Sequence, residues 1–162
     1  MLLLTLTTAA MLATTPATPL VLAPPPCESS HAHVTQAYLE SARRFATTGD
    51  LEGARREYRI ATMLGFDGNC LPESTSTEFA TLLLAESRYK EAAEVMRELA
   101  REAADRGEYD VEARARVSSA WLMLTMGDRI GAKQDVRRLH EIAREGRISP
   151  DTQQLLRKAL RR

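Results

Sequence analysis

The stretch FATLLLAESRYKEAAEVMREL, residues 79–99, decides the fold of this chain. It contains two apolar segments joined by a short turn sequence at 87–89, and one small residue, Ala80 or Ala92, lies in each segment. This arrangement predicts two antiparallel helices that pack closely through their alanines. The same twelve-residue spacing recurs on both sides, at Ala42 and Ala54 and at Ala120 and Ala132.

Other positions repeat in register with these alanines. An apolar residue follows the first alanine of each pair by three positions, a large residue follows the second by four, and a small or apolar one comes three later. In that order, they are Phe45, Leu83 and Met123, then Tyr58, Met96 and Val136, then Ala61, Leu99 and Leu139. The period is 38 and then 40 residues, which is typical of stacked helical hairpins.

The pattern resembles the tetratricopeptide repeat (TPR) family, whose two helices per repeat pack through a small residue near the end of the first helix and an alanine near the start of the second. The resemblance predicts an all-α fold, a right-handed array of three antiparallel helical hairpins with a C-terminal capping helix. Because the period exceeds the usual 34 or so residues, we expect some helices to run an extra turn. A generic helical bundle with alanine-rich contacts is the alternative.

The boundary signals divide the chain into segments. They predict a signal peptide or hydrophobic N-terminal segment at 1–23, a Pro-rich linker at 24–29, and a TPR-like domain at 30–162 with repeats at about 35–68, 73–106 and 113–146 and a capping helix at 150–161.

Single residues predict several helix ends. Gly49 should end the first helix in a left-handed conformation, and Asp50 should cap the second. Gly65 is predicted to end the second helix. Thr75 and Glu78 have the spacing of a capping box, which places the start of the third helix at Thr75.

The last predicted helix has a role in the array. The final hairpin of a repeat protein exposes an apolar surface unless an amphipathic helix covers it. A capped helix start at Ser149-Pro150-Asp151 precedes three leucines on one face. We expect Leu155, Leu156 and Leu160 to cover the third hairpin, although a partner-binding tail helix is an alternative.

The charge balance and the motif content argue against nucleic-acid binding and against the common catalytic sites. The 22 basic and 22 acidic residues give the chain no net charge, which argues against nucleic acid and membrane surfaces as partners. We expect membrane contact only through the N-terminal segment, if that segment is not cleaved. Phosphate-binding glycine loops and serine-nucleophile elbows are absent from the sequence, and His140-Glu141 lacks the second histidine of a zinc protease because Arg144 takes its place. Neither catalytic residues nor cofactors are predicted.

Interleaved carboxylates and arginines in the predicted fourth and sixth helices favour solvated helix faces rather than a buried acid pair. The residues are Glu94, Glu98, Glu102, Glu141 and Glu145 with Arg97, Arg101, Arg138 and Arg144.

The first 26 residues carry no charged side chain, and Leu2 to Leu12 forms an apolar, threonine-bearing run. This pattern favours a secretory signal and an extracytoplasmic, periplasmic or secreted, location. A membrane anchor and a cytoplasmic protein with a wrongly assigned start remain alternatives.

The chain has two cysteines, and each flanks the first predicted hairpin. Cys27 precedes its first helix and Cys70 follows its second, so an antiparallel arrangement brings the two together. An exported domain would join Cys27 and Cys70 in a disulfide. The alternative is a metal site that also uses His31 and His33, although their spacing fits no familiar zinc motif.

The resemblance also implies a concave groove lined by the first helix of each repeat. The alanine register assigns to that groove Gln36, Leu39, Arg43, Thr47, Thr77, Thr81, Leu84, Arg114, Val117, Trp121 and Leu124. Trp121 is the strongest candidate for a partner anchor because interface hot spots favour tryptophan, and ordinary core packing is its alternative role.

These observations favour a non-enzymatic scaffold that holds a peptide or helix of a partner protein in the groove. A small secreted metal-binding or enzymatic protein built on the same helices is the alternative function.

Overall fold

The structure is a computed structural model that describes residues 29–68, 70 and 72–159. The described residues form seven α-helices and no strands: α1 (Ser29–Thr48), α2 (Leu51–Asp67), α3 (Glu73–Ala85), α4 (Tyr89–Asp105), α5 (Tyr109–Thr125), α6 (Arg129–Glu145) and α7 (Pro150–Ala159). Each helix packs against the next along the chain, and α7 also contacts α5. The predicted all-α array of three helical hairpins followed by one further helix is confirmed.

Small side chains line the contacts between the helices. All six alanines of the repeat are buried: Ala42, Ala54, Ala80, Ala92, Ala120 and Ala132. A methyl group allows helix axes to approach closely, and larger repeat residues such as Leu83, Met96 and Leu99 are buried in the same core cluster as most of these alanines. The alanine spacing therefore identified the packing surfaces correctly.

Helix length accounts for the long period. From α4 onward, α4, α5 and α6 each contain 17 residues and are separated by three-residue turns, which gives a spacing of 40 residues. The predicted helix extension is therefore present in this part of the array.

Backbone conformation confirms the first hairpin turn. Gly49 has φ +84°, and the Asp50 side chain accepts a hydrogen bond of 2.8 Å from the backbone N–H of Gly53. The equivalent turn between α3 and α4 places Ser87 at φ +60°. Gly127, at φ +80°, takes the same place between α5 and α6, so a left-handed residue lies two positions before the second helix of each hairpin, and Ser87 is the one of the three that is not glycine.

Two predicted boundaries were wrong. Helix α2 continues past Gly65 to Asp67, and Gly65 is buried where an added Cβ would lie 2.7 Å from the Cβ of Pro72. Close packing, rather than a helix stop, explains this glycine. Helix α3 begins at Glu73, so Thr75 is already inside the helix and buried, and Glu78 pairs with another helix instead of forming a capping box.

The acids of α4 and α6 that the sequence assigned to solvated faces are at least partly exposed, but Arg97 and Arg138 also reach two buried carboxylates outside that set. The carboxylate of Glu112 on α5 is fully buried and accepts hydrogen bonds from Arg116 at 2.8 Å and Arg138 at 2.9 Å. Asp135 on α6, 2% exposed, accepts hydrogen bonds from Arg97, Arg116 and Ser119. These contacts tie α4, α5 and α6 together through their partly buried charges.

Helix α7 covers the third hairpin with one leucine. Leu156 is 2% exposed and packs with Ile142 and Ile148. Leu155 is 37% exposed, so it does not belong to this cover, and Leu160 lies outside the described residues. The Ser149 hydroxyl caps the helix by accepting a 3.3 Å hydrogen bond from the Thr152 N–H, as predicted.

Candidate groove on the first-helix face

The first helices of successive hairpins are joined by two ion pairs. Arg43 of α1 donates hydrogen bonds of 2.9 and 2.6 Å to the carboxylate of Glu78 on α3. Arg114 of α5 donates 2.6 and 2.9 Å bonds to Glu73, also on α3. Two pairs with bidentate geometry therefore connect α3 to α1 and to α5.

The pair between α1 and α3 includes a third residue. The Tyr58 hydroxyl lies 3.2 Å from Glu78, and the Tyr58 ring stacks on Phe79 with 5.8 Å between centroids. Hydrogen bonds from Arg43 lower the pKa of Glu78, which favours the charged form of its carboxylate. Burial is the main cause that raises the pKa of Tyr58, with the Glu78 charge adding to it.

An apolar cavity of about 550 Å³ is lined by residues of α3, α4, α5, α6 and α7. Ala80, Met96, Val136 and Leu139 contribute to its inner wall. Its volume is in the range of roughly 300–1,000 Å³ that is common for ligand sites. We call this cavity and its rim the α3/α5/α7 groove. Its other lining residues are Thr77, Thr81, Leu84, Val117, Ser118, Ala120, Trp121, Leu122, Leu124, Leu155, Lys158 and Ala159.

The structure brings together six of the eleven residues assigned to a groove from the sequence: Thr77, Thr81, Leu84, Val117, Trp121 and Leu124. Trp121 and Leu124 are each 56% exposed, so Trp121 is not a core residue. Whether these residues bind a partner stays a prediction.

The other five assigned residues have different surroundings. Leu39 is 5% exposed and belongs to the hydrophobic core, so its assignment to the groove surface was wrong. Arg43 and Arg114 are engaged in the ion pairs described above. Gln36 and Thr47 are exposed on α1, away from the cavity lining.

Three groove residues come from α7 and were not predicted: Leu155, Lys158 and Ala159. The apolar face of the last helix could have indicated that this helix contributes to the groove, but the sequence analysis assigned all of its leucines to covering the third hairpin. Two consecutive leucines on a helix point in directions about 100° apart, and here Leu156 faces the core while Leu155 faces the groove.

The cysteine and histidine predictions are only partly within the described residues. Cys70 is not a free cysteine, but Cys27 lies outside the described part of the chain, so their pairing stays a prediction. His31 is partly buried and His33 is exposed. Within the described residues, no group of three histidine, cysteine or acidic side chains is placed to hold a metal ion.

The N-terminal segment 1–23 and almost all of the linker 24–29 also lie outside the described residues. Among the helices that are described, none combines the length and apolar character needed to span a bilayer.

Comparison with known proteins supports the fold. No protein-family model and no curated protein matches the sequence. The structure is similar to the solved N-terminal domain of stress-induced protein-1 (STI-1) from C. elegans, a TPR-like helical domain, with a TM-score of 0.56 and 14% sequence identity over 81% of this chain and 98% of that one. The chain therefore has a TPR-type helical repeat fold.

Proposed function

We propose that the protein is a non-catalytic interaction module and that the α3/α5/α7 groove binds a segment of a partner protein. The observation that supports this most directly is the exposure of Trp121 and Leu124, each 56%, beside an apolar cavity. Large apolar side chains that stay exposed around a cavity mark interaction sites more often than isolated exposed ones do. The TPR-like structural neighbour agrees with a role in protein binding.

Affinity capture followed by mass spectrometry tests the proposal. Proteins captured by the wild-type chain from its source extract should be lost with Leu124→Ser and with Trp121→Ala. Ile130→Ser is the matched control, because Ile130 is 78% exposed and does not line the groove. Retention of the same proteins by both groove variants would contradict the proposal.

We further propose that the chain is exported and that Cys27 and Cys70 form a disulfide. The uncharged N-terminal segment supports export, and the positions of the cysteines at the two ends of the α1–α2 hairpin support the bond. Mass spectrometry of the mature protein checks both parts. We expect a first residue after the 1–23 segment and a peptide pair linked through Cys27 and Cys70. Two free thiols in an unprocessed chain would contradict both.

A further inference from the structure

One of the described residues that line the groove is charged. Among the lining residues named above, Lys158 is the only charged one, and it is exposed. No ion pair involving Lys158 is present in the described chain, whereas Arg43 of α1 and Arg114 of α5 are paired with Glu78 and Glu73. Within the described part of the chain, a ligand in the groove therefore meets an apolar wall and one positive charge, that of Lys158.

The hydroxyl groups that line the groove already donate hydrogen bonds within the protein. Thr77 and Thr81 each donate a 2.8 Å hydrogen bond to a backbone carbonyl of their own helix, and Ser118 donates a 3.2 Å bond to the carbonyl of Arg114. The remaining side-chain donors of the lining are the Lys158 ammonium and the Trp121 indole N–H.

Because the groove has few free hydrogen-bond donors, it should bind an extended peptide and a helical peptide with different affinity. An extended peptide presents unpaired carbonyls to the surface that binds it, and burying them without donors costs free energy. A helix satisfies its own carbonyls and presents only side chains. An apolar groove with so few donors therefore favours a helix.

The groove is also open rather than enclosed. Trp121 and Leu124 are 56% exposed and Leu155 is 37% exposed, so the rim itself has a large uncovered apolar surface. Small-molecule sites usually bury about 70–90% of the ligand. The exposed rim would remain largely in water around a small ligand, whereas the face of a helix would cover it.

We propose that the occupant is an amphipathic α-helix of a partner protein, with an apolar face against Trp121, Leu124 and Leu155 and an acidic residue beside Lys158. This inference rests on the proposed function, because it identifies the kind of segment that the same groove binds. The acidic residue would pair with the Lys158 ammonium, and the apolar face would cover the exposed rim.

Synthetic peptides of roughly 16 residues, long enough to form a helix, test the inference. The first peptide has leucines spaced three and four apart along one face and a glutamate at its flank. The second replaces the glutamate with lysine, and the third has a central proline. Trp121 is the only tryptophan of the chain, so tryptophan-free peptides can be titrated by the change in its fluorescence.

The glutamate peptide should bind roughly 3- to 10-fold more tightly than the lysine peptide at low ionic strength. Lys158→Glu should reverse that order, and Lys133→Glu, which changes an exposed lysine outside the groove, should leave it unchanged. The proline peptide should bind at least about tenfold more weakly than the glutamate peptide, because proline disrupts the helix.

Several results would overturn the inference. These are equal binding of the glutamate and lysine peptides, undiminished binding of the proline peptide, or no fluorescence change with any peptide. Saturable binding of laurate without peptide binding would assign the groove to a small amphiphile, and a concentration-dependent Trp121 signal of the protein alone would assign it to a second copy of this chain. If affinity capture still depends on Trp121 and Leu124 in such a case, the helix inference fails while the proposed function stands.

Discussion

At the scale of single residues, the Glu112 carboxylate makes the most consequential contacts in the interior. It is fully buried and accepts hydrogen bonds from Arg116 on its own helix and from Arg138 on α6. The hydrogen bond to Glu112 is also the main cause that raises the pKa of Arg138. A buried charge is tolerated only when such partners surround it, so the loss of the carboxylate should be costly.

We predict that Glu112→Gln destabilises the protein by about 1–3 kcal/mol, because an amide keeps the shape of the side chain but weakens its hydrogen bonds to two guanidinium groups. Urea unfolding followed by circular dichroism measures the change. Glu94→Gln, at an exposed position of α4, is the control and should change the stability by less than about 0.5 kcal/mol. Equal effects of the two substitutions would contradict a stabilising role for the buried carboxylate.

A second residue-scale prediction concerns the alanines between helices. Ala132 of α6 is 2% exposed, so Ala132→Leu should force α6 away from its neighbours and cost about 1–3 kcal/mol. Ala143→Leu makes the same chemical change on the exposed side of the same helix and should be close to neutral. Thermal unfolding of both variants provides the comparison, and tolerance of leucine at Ala132 would be inconsistent with close helix packing there.

At the scale of elements, Asp110 links the start of α5 to the start of α7. Its carboxylate accepts hydrogen bonds from the backbone N–H of Ser149 at 3.0 Å and from the Ser149 hydroxyl at 2.8 Å. Burial by itself would raise the pKa of Asp110, but the hydrogen bonds from Thr152 and Ser149 together outweigh it and lower the pKa. The ionised carboxylate therefore stabilises the attachment of α7.

The sign of the pH dependence follows from that lowered pKa. The contribution of Asp110 to stability is fully present above its unfolded-state pKa, near 3.8, and is lost as the pH falls through the lower folded-state value. We expect the protection factors of the α7 amides, which correct for the pH dependence of intrinsic exchange, to fall in that acid range, and Asp110→Asn to show reduced protection already at neutral pH. Asp105→Asn, at an exposed position, should exchange like the wild type. Unchanged α7 exchange in Asp110→Asn would refute the link.

Helix ends show why element boundaries were only partly predictable. The Asp50 cap was predicted correctly because it depends on a local side-chain contact and a left-handed glycine before it. The assignment of Gly65 as a helix end was wrong. A glycine is needed at this position because Pro72, which follows the helix in the sequence, leaves no room for a Cβ. A local signal cannot distinguish a glycine that ends a helix from one that makes room for a neighbour.

At the scale of the whole molecule, each hairpin packs mainly on its neighbours in the array. The buried residues divide into a large cluster that extends from α1 to α6 and a smaller one around Leu139, Ile142 and Leu156 at the C-terminal end. In such repeat structures, local stability depends on intrinsic and nearest-neighbour terms. A destabilising substitution at one end of the array should therefore lower the local stability of the adjacent helices more than that of the distant ones.

We predict that Leu156→Ala, which removes a side chain that is 2% exposed, costs about 2–4 kcal/mol and acts mainly on the last three helices. Hydrogen exchange measured by mass spectrometry should rise in α5, α6 and α7 and change little in α1 and α2. Leu155→Ala on the exposed neighbour is the control and should leave exchange near the wild-type level. A uniform increase over all seven helices would show instead that the array unfolds as one unit.

The sequence by itself determined the helical array, because the alanine spacing and the apolar periodicity are local consequences of helix geometry. It also located the part of the groove contributed by Thr77, Val117 and Trp121, since residues on one helix face keep a fixed spacing. Only the tertiary structure decided that Glu112 and Asp135 are buried. It also decided that Leu39 lies in the core and that Lys158 lines the groove. These depend on which faces of distant helices meet, and that is settled by packing across the whole chain rather than by local pattern.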